Sequence, residues 1–322
     1  MTTPTSLPNA AAIREAHARI KNYIHRTPVL TSRTLNELTG ASVYLKAENL
    51  QKIGAFKARG AHNAVFSLSG TEAARGVVTH SSGNHAAALA LAASNRGIPA
   101  YIVMPSNAAK TKVASVRRLG AEITFCEPTL AARETTAAAV RQRTGAAFVH
   151  PYDDDRVIAG QGTAVLELLE DVPDLQAVVV PVGGGGLLSG TALYAKETRP
   201  GIRVYAAEPL MADDASRSFQ ARRLIPQTAP RTIADGLLTS MSARTFAVMR
   251  DHVDDVATVD EAAIVEAMRF VWEILKTIVE PSAAVAVAAL LRRKLPVDGQ
   301  RVGVILSGGN VDLDRLPWER PA

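Results

Sequence analysis

The sequence of 322 residues has little of several features that define specialised classes of protein. Its single cysteine, Cys126, excludes a disulfide between two of these residues and leaves a zinc site without support. No apolar run reaches the ~18 residues that a membrane-spanning helix needs. The first 20 residues lack the basic start and the apolar stretch of a secretory signal. We therefore expect a cytoplasmic protein that does not interact with membranes.

The sequence also lacks a dense basic tract. Its 36 basic and 31 acidic residues give a net charge of +5, and residues 292–294 are among the strongest basic clusters. Because nucleic-acid binding needs a basic patch on one face, we predict no nucleic-acid partner. Hydrophobic residues make up 47% and charged residues 21%, a balance that is typical of a globular protein with a large core.

What the sequence does contain is an alternation of strands and helices. Strands are predicted at 76–79, 100–104, 121–125, 177–182 and 202–207, and helices at 85–96, 108–119, 130–143 and 186–198. The apolar runs at 177–180 and 302–306 show no polar alternation, which is typical of parallel strands buried on both faces. The pattern predicts an α/β architecture with right-handed crossovers.

Three of the predicted strands end in turns that contain glycine. The turns are H-S-S-G-N-H at 80–85, G-G-G-G at 183–186 and S-G-G-N at 307–310. Because ligands bind at the carboxyl ends of parallel strands, three polar turns of this kind predict one cleft.

The four consecutive glycines at 183–186 are the sharpest of these signals. Backbone N–H groups without side chains between them can converge on an anion, and the following helix adds the positive end of its dipole. The run lacks the spacing of a dinucleotide-binding motif and the Lys-Ser/Thr ending of a P-loop. The sequence therefore favours a phosphate as the ligand and disfavours hydrolysis of a nucleoside triphosphate. The alternative is a tight turn that allows close helix packing.

Lys57 lies in the segment G-A-F-K-A-R-G-A at 54–61, where small neighbours leave room around its side chain. A lysine amine can form a Schiff base with an aldehyde cofactor. Taken alone, a lysine is more often a surface residue.

This segment resembles the S-F-K-x-R-G-A motif of the fold-type II pyridoxal-phosphate enzymes. More narrowly, the chain resembles the family of serine racemase, threonine dehydratase and 3-hydroxyaspartate dehydratase. The matching segments lie at 24–29, 54–61, 80–85, 157–163, 181–186, 206–209, 233–236 and 306–312. So many ordered motifs identify the family over almost the whole chain.

The resemblance implies a fold like that of the tryptophan synthase β subunit. Two open, twisted and mostly parallel sheets would be flanked by helices, with the cofactor in the cleft between a large and a small domain. The large domain would be discontinuous, comprising residues 1–66 and 153–322. The small domain would comprise residues 76–150.

The resemblance also assigns residues to pyridoxal phosphate. Lys57 would form the Schiff base, Phe56 would cover one face of the ring, and Asn84 would bind the ring hydroxyl. The phosphate would be bound by Gly183, Gly184, Gly185 and Gly186. Ser307 would face the pyridine nitrogen, where a hydroxyl supports a neutral nitrogen and so favours loss of a β-leaving group.

The reaction implied is elimination of the β-hydroxyl of a small hydroxy amino acid, which yields a 2-oxo acid and ammonia. Lys57 would remove the α-proton. The substrate would be bound by Ser81, Ser82, Asn84 and His85. In racemases of this family the serine that corresponds to Ser82 stands opposite the lysine and can return a proton to the other face. Ser82 is also an ordinary turn or helix-capping residue.

Two positions bear on the substrate. Position 55 is alanine where many members of the family have serine, and this resembles the 3-hydroxyaspartate dehydratases. A dicarboxylic substrate needs a second cationic partner, and Arg133 corresponds to an arginine associated with the substrate pocket. Arg133 could equally be a solvated helix residue. We therefore keep 3-hydroxyaspartate, L-serine and L-threonine as candidates, with the first slightly favoured.

A divalent cation is implied at the segment that follows the strand at 202–207. The ligands would be the carboxylates of Glu208 and Asp214 and the carbonyl of Ala212. Oxygen ligands suit magnesium, with calcium or manganese as alternatives. From spacing alone, acidic residues at a helix start are the simpler explanation. The family also implies a homodimer.

Three functions stay open: an ammonia-lyase, an amino-acid racemase, and a relative that binds a ligand without catalysis. The retention of Lys57, Asn84, Ser307 and the four glycines argues against the third.

Overall fold

The computed structural model describes residues 7–81, 83–108 and 110–318. The strands are β1 (Val29–Thr31), β2 (Ser42–Lys46), β3 (Val77–His80), β4 (Ala100–Pro105), β5 (Glu122–Cys126), β6 (Ala147–Phe148), β7 (Ala177–Pro181), β8 (Arg203–Pro209), β9 (Asp255–Val259) and β10 (Arg301–Ile305). The helices are α1 (Ala10–Ile20), α2 (Arg33–Thr39), α3 (Lys57–Phe66), α4 (Gly70–Ala73), α5 (Asn84–Arg96), α6 (Lys110–Arg118), α7 (Leu130–Thr144), α8 (Asp155–Asp171), α9 (Gly186–Thr198), α10 (Asp214–Ala221), α11 (Ala243–His252), α12 (Glu261–Leu275) and α13 (Pro281–Leu291).

The larger sheet has six strands in the order β1-β2-β10-β7-β8-β9. Its strands pair in parallel except for the edge strand β1, which is antiparallel to β2. Every residue of β7 is buried, as the unbroken apolar run predicts for a strand covered on both faces. One apolar core covers each face of this sheet, and the alanine-rich helix α13 lies inside one of them.

The smaller sheet has four parallel strands in the order β5-β4-β3-β6. Its strands come from one continuous part of the chain, between Val77 and Phe148. The prediction of two mostly parallel sheets flanked by helices is confirmed, and helix α9 begins and ends at the predicted residues. The domain limits at 66, 76, 150 and 153 stay a prediction.

Two chain segments join the two sheets, one on the way out of the larger sheet and one on the way back to it. The chain leaves the larger sheet through α3, and it returns from β6 through residues 149–154 into α8. Asp154 caps α8 by accepting from the N–H of Arg156. Within the described residues, no helix is both long and apolar enough to cross a bilayer.

Candidate active site

The turns after β3 and β10 meet beside the start of α3. The Asn310 side-chain amide donates to the Asn84 side-chain carbonyl over 2.9 Å, which joins the two turns. The backbone N–H of Phe56 donates to the Ser307 carbonyl over 3.0 Å, and Ala55 forms a β-bridge with Gly308. The structure thus brings together two of the three turns that the sequence placed in one cleft.

Lys57 is the first residue of α3 and lies at this meeting point. Its Nζ donates to the Pro151 carbonyl over 2.8 Å and stands 5.0 Å from the centroid of the Phe56 ring. Burial lowers the pKa of the amine to about 8, and the nearby Glu280 carboxylate only partly opposes this. A lysine with such a pKa is partly uncharged near neutral pH, which nucleophilic attack and proton abstraction both require.

The glycine turn lies on the other side of residues 151 and 152. A Cβ on Gly184 would lie 2.3 Å from the Tyr152 ring, and one on Gly186 would lie 2.9 Å from the Tyr152 Cβ. A Cβ on Gly183 would lie 2.9 Å from the Cα of Leu237, so neighbouring residues leave no room for a side chain there either.

Gly185 has φ +83°, a left-handed conformation that directs successive N–H groups to one side just before α9 begins. The turn is therefore closely packed, as the second interpretation of the four glycines requires, and its backbone is compatible with an anion, whose binding there stays a prediction.

Asn84 is fixed by a carboxylate that carries no role in the sequence interpretation. Its side-chain amide donates to both carboxylate oxygens of Glu280, over 3.0 and 3.2 Å, and the N–H of Asn310 donates to the same group over 3.1 Å. Burial, and next the charge of Asp235, raise the pKa of Glu280 to about 7. In the sequence, Glu280 matches an acidic residue near the cofactor in the family that the chain resembles, but a Glu-Pro pair at a helix start is the simpler explanation, and no firm catalytic role was predicted for it.

The start of α5 and the residues around it form the wall nearest β3. The ring of His85 contacts the Val149 carbonyl through Nε2 over 3.2 Å, and burial, with the charge of Lys57 next, holds its pKa well below the ordinary value. A neutral ring of this tautomer offers a lone pair at Nδ1, so an anion here would bind to the first N–H groups of α5. Ser81 accepts from the N–H of Gly83. Ser82 lies outside the described residues.

Arg133 lies on α7, which packs against β3 and β4. Its Nε is shielded from solvent and has no hydrogen-bond acceptor among the described residues. The charge of Arg133 is one of the causes, after burial and the opposing charge of Glu134, that set the pKa of His80 below its ordinary value. The guanidinium is therefore close to the end of β3, and it has a donor to spare.

Glu208 and Asp214 form a second polar group beside the glycine turn. Glu208 is the last residue but one of β8, and its carboxylate accepts from the backbone N–H groups of Ala215 and Ser216 in α10. The carboxylate of Asp214 accepts from the N–H of Met241 over 2.9 Å. Both carboxylates are buried, which raises the pKa of Asp214 to about 6 and that of Glu208 well above its ordinary value. Met241 in turn packs against Gly185.

These residues fit an aldehyde cofactor that carries a phosphate. The glycine turn would supply N–H groups to the phosphate without a cationic side chain, and Lys57 would supply an amine of lowered pKa. Asn84, Ser307 and Phe56 lie beside Lys57 and would offer two hydrogen-bonding groups and one aromatic face to the ring of the cofactor.

Comparison with known proteins gives the same picture. The model of the family described as "Pyridoxal-phosphate dependent enzyme" matches residues 20–308. The chain is 53% identical over 312 residues to the beta-hydroxyaspartate dehydratase of Paracoccus denitrificans, covering 97% of this chain and 99% of that protein. It is 55% identical over 313 residues to the serine racemase of Arabidopsis thaliana, covering 96% and 94%.

Among solved structures, the maize serine racemase superimposes with a TM-score of 0.94 at 47% identity, covering 96% of this chain and 95% of that one. The match extends over both sheets, and it agrees with the family that the ordered motifs predict. The chain therefore belongs to the family of pyridoxal-phosphate-dependent enzymes.

Proposed function

We propose that this enzyme removes the β-hydroxyl of 3-hydroxyaspartate and releases oxaloacetate and ammonia. The observation that carries the proposal is the amine of Lys57, whose pKa is lowered to about 8 beside the turns after β3 and β10, and which donates to the Pro151 carbonyl next to the residue that packs on the glycine turn. The similarity to a beta-hydroxyaspartate dehydratase at 53% identity supports the choice of substrate.

Each residue contributes a definite part of the work. When bound, pyridoxal phosphate withdraws electrons and makes the α-proton of the amino acid acidic. The amine of Lys57 accepts that proton, and burial keeps enough of the amine uncharged to do so near neutral pH. The glycine turn fixes the phosphate, and Asn84, itself fixed by Glu280, orients the ring. The first turn of α5 binds the substrate α-carboxylate through backbone N–H groups.

The second carboxylate of the substrate would bind Arg133. A shielded guanidinium Nε without an acceptor among the described residues is costly unless a ligand completes it. An arginine–carboxylate pair is short and directional, so it discriminates well against serine, which has no second carboxylate.

A racemase is the second candidate, because a serine racemase is similar to the chain at 55% identity. Racemisation needs a proton donor on the face opposite Lys57, and Ser82 is proposed for that role. Ser82→Ala should then abolish the formation of D-amino acid while elimination from the L-substrate continues. Equal loss of both activities would contradict the two-face assignment.

We also propose a divalent cation bound by Glu208, Asp214 and the Ala212 carbonyl. Two buried carboxylates repel each other, and a cation between them would offset both the repulsion and the burial. Among the described residues no group of three or more His, Cys, Asp or Glu side chains is suited to a metal, so a backbone carbonyl has to supply a ligand. Magnesium is the first candidate, with calcium or manganese as alternatives.

A homodimer and a cytoplasmic location stay predictions. Exposed apolar side chains that a partner could cover include Leu50 and Ile278. The two residues lie near each other, because the side-chain amide of Asn49, the residue before Leu50, donates to the Ile278 carbonyl. Sedimentation of the purified protein gives its oligomeric state directly.

The test of the substrate uses protein supplied with pyridoxal phosphate and magnesium. The 3-hydroxyaspartate isomers, L-serine and L-threonine are each offered, and oxo acid and D-amino acid are measured together. Arg133→Leu should lower kcat/KM for 3-hydroxyaspartate about 100-fold, which corresponds to about 3 kcal/mol, and should change that for L-serine much less. Arg141→Leu, an exposed arginine on the same helix, is the matched control. Pyruvate or 2-oxobutyrate with little oxaloacetate would refute the choice of substrate.

A further inference from the structure

Helix α8 lies between the helix that starts at Lys57 and the helix that follows the glycine turn. Where α3 crosses α8, a Cβ on Gly160 would lie 2.6 Å from the Cα of Gly60. Where α8 crosses α9, a Cβ on Gly190 would lie 2.4 Å from the Ile158 carbonyl oxygen. Backbone touches backbone at both crossings, so the spacing of the three helices leaves no slack.

Polar side chains hold the first of these crossings together. The Gln161 side-chain carbonyl on α8 accepts from the N–H of Gly60 over 3.1 Å, within the turn of α3 that follows Lys57. The Arg59 guanidinium donates to both oxygens of Glu167 on α8, over 2.9 and 2.8 Å. It also donates to both oxygens of Glu48, over 2.7 and 2.8 Å.

This cluster is buried and balanced in charge. The side chains of Lys46, Glu48, Arg59 and Glu167 are at most 1% exposed, and they carry two positive and two negative charges. Burial on its own would raise the pKa of Glu167, but hydrogen bonds from His17 and Arg59 hold it below its ordinary value. Removing one partner of such a group leaves a buried charge uncompensated, so the arrangement is rigid. None of these residues takes part in the proposed chemistry.

The segment that leads into α8 touches both halves of the cofactor site. The Pro151 carbonyl accepts from Lys57 Nζ over 2.8 Å, and the Tyr152 ring packs against Gly184. The same element therefore contacts Lys57 and the glycine turn at the site, and it contacts the two helices that carry them behind the site.

We propose that Arg59, Gln161 and Glu167 are positioning residues that hold α3 on α8 and thereby fix the distance from the Lys57 amine to the glycine turn. With its phosphate held by the glycine turn, pyridoxal phosphate would have its aldehyde within reach of the Lys57 amine, and an amine condenses with an aldehyde with loss of one water. The inference rests on the proposed roles of Lys57 and the glycine turn.

The consequence is a cooperative use of the two ends of the cofactor. Two anchoring interactions reinforce each other only if the protein holds both partners at the right separation. A change in that separation weakens binding of the whole cofactor, while a ligand that uses only one end is bound as before.

The experiment compares three ligands of the cofactor-free protein. Pyridoxal phosphate uses both ends, pyridoxine phosphate lacks the aldehyde, and pyridoxal lacks the phosphate. The dissociation constants are measured by calorimetry and by the visible absorbance for wild type, Gln161→Ala, Glu167→Gln and Gly190→Ala. Gly201→Ala is the matched control, because a Cβ there meets no described atom within 4 Å.

We expect pyridoxal phosphate to bind about 100-fold more weakly to the variants, as for a displacement of about 1 Å, while the other two ligands change less than twofold. Equal weakening for all three ligands, or none for pyridoxal phosphate, would overturn the inference. If Gly190→Ala does not fold, the two side-chain variants decide.

A separate variant keeps this result distinct from failure of the proposed function. If Lys57→Ala still kept the cofactor covalently attached after borohydride reduction and denaturation, the role of Lys57 would be wrong whatever the other variants show.

Discussion

The contact between Gly184 and Tyr152 gives a prediction whose size follows from the structure. In Gly184→Ala the new Cβ would lie 2.3 to 2.5 Å from three carbons of the Tyr152 ring. Ordinary carbon–carbon contact begins near ~3.5 Å, so the ring has to move by about 1 Å. The ring meets the His150 ring edge to face at 4.6 Å, and Pro151 beside it accepts from Lys57.

Overpacking of this kind costs about 1–3 kcal/mol of the free energy of unfolding. Because Tyr152 lies between the glycine turn and the residue that holds Lys57, the same displacement should weaken binding of pyridoxal phosphate by about 10- to 100-fold. Tyr152→Ala alone should cost about 3 kcal/mol or more, since it removes a large packed ring. In the double variant the new methyl has room, so its cost should be less than the sum of the two single costs by about 1–3 kcal/mol.

The free energy of unfolding is measured by guanidinium denaturation of cofactor-free protein, so that ligand binding does not contribute. Gly70→Ala is the control, because no described atom lies within 4 Å of its added Cβ. The Tyr152 ring is not what excludes a side chain at Gly184 if the free energy of unfolding of Gly184→Ala lies within about 0.5 kcal/mol of that of wild type. The same conclusion follows if the losses of stability in the two single variants simply add in the double variant.

Three further predictions concern ionisable groups. Burial lowers the pKa of His62 to about 4, so between pH 6.5 and pH 4 the unfolded chain binds a proton that the folded chain does not. The free energy of unfolding of wild type should therefore fall by about 3 kcal/mol as the pH falls through that window, and His62→Gln should abolish this fall. An unchanged pH dependence in the variant would contradict the prediction. The rate at which cofactor-free protein forms the Lys57 chromophore with pyridoxal phosphate should rise about tenfold per pH unit up to pH 8 and then level off, whereas a plateau only above pH 10 would rule out the lowered pKa. Magnesium should raise the thermal midpoint of chelator-treated wild type by mass action, and it should not change the thermal midpoints of Glu208→Gln and Asp214→Asn. An equal rise of the midpoint in all three proteins would place the cation elsewhere.

Much of the fold follows from local patterns. The apolar runs that became β7 and β10 predicted central strands because a strand buried on both faces needs no polar alternation. The strands β1, β2, β6 and β9 carry no comparable signal and were not predicted, since their conformation depends on the neighbouring strand with which they pair.

The candidate site divides in the same way. Lys57, Asn84, Ser307 and the glycines at 183–186 were named because each stands in a recognisable motif. The carbonyl of Pro151, the ring of Tyr152, and the pair of Glu280 with Asn310 were not assigned. Their importance comes from hydrogen bonds and contacts to residues far away in the chain, and no local pattern encodes those.

The sequence by itself determined the family and the class of sheet and pointed to the amine that we propose for the cofactor, because ordered motifs and apolar periodicity are properties of neighbouring residues. Only the tertiary structure decided the pKa of that amine, the lack of room beside each glycine, and the buried cluster around Arg59. Burial, separation and charge balance are set where distant segments pack together, and they exist only after the chain has folded.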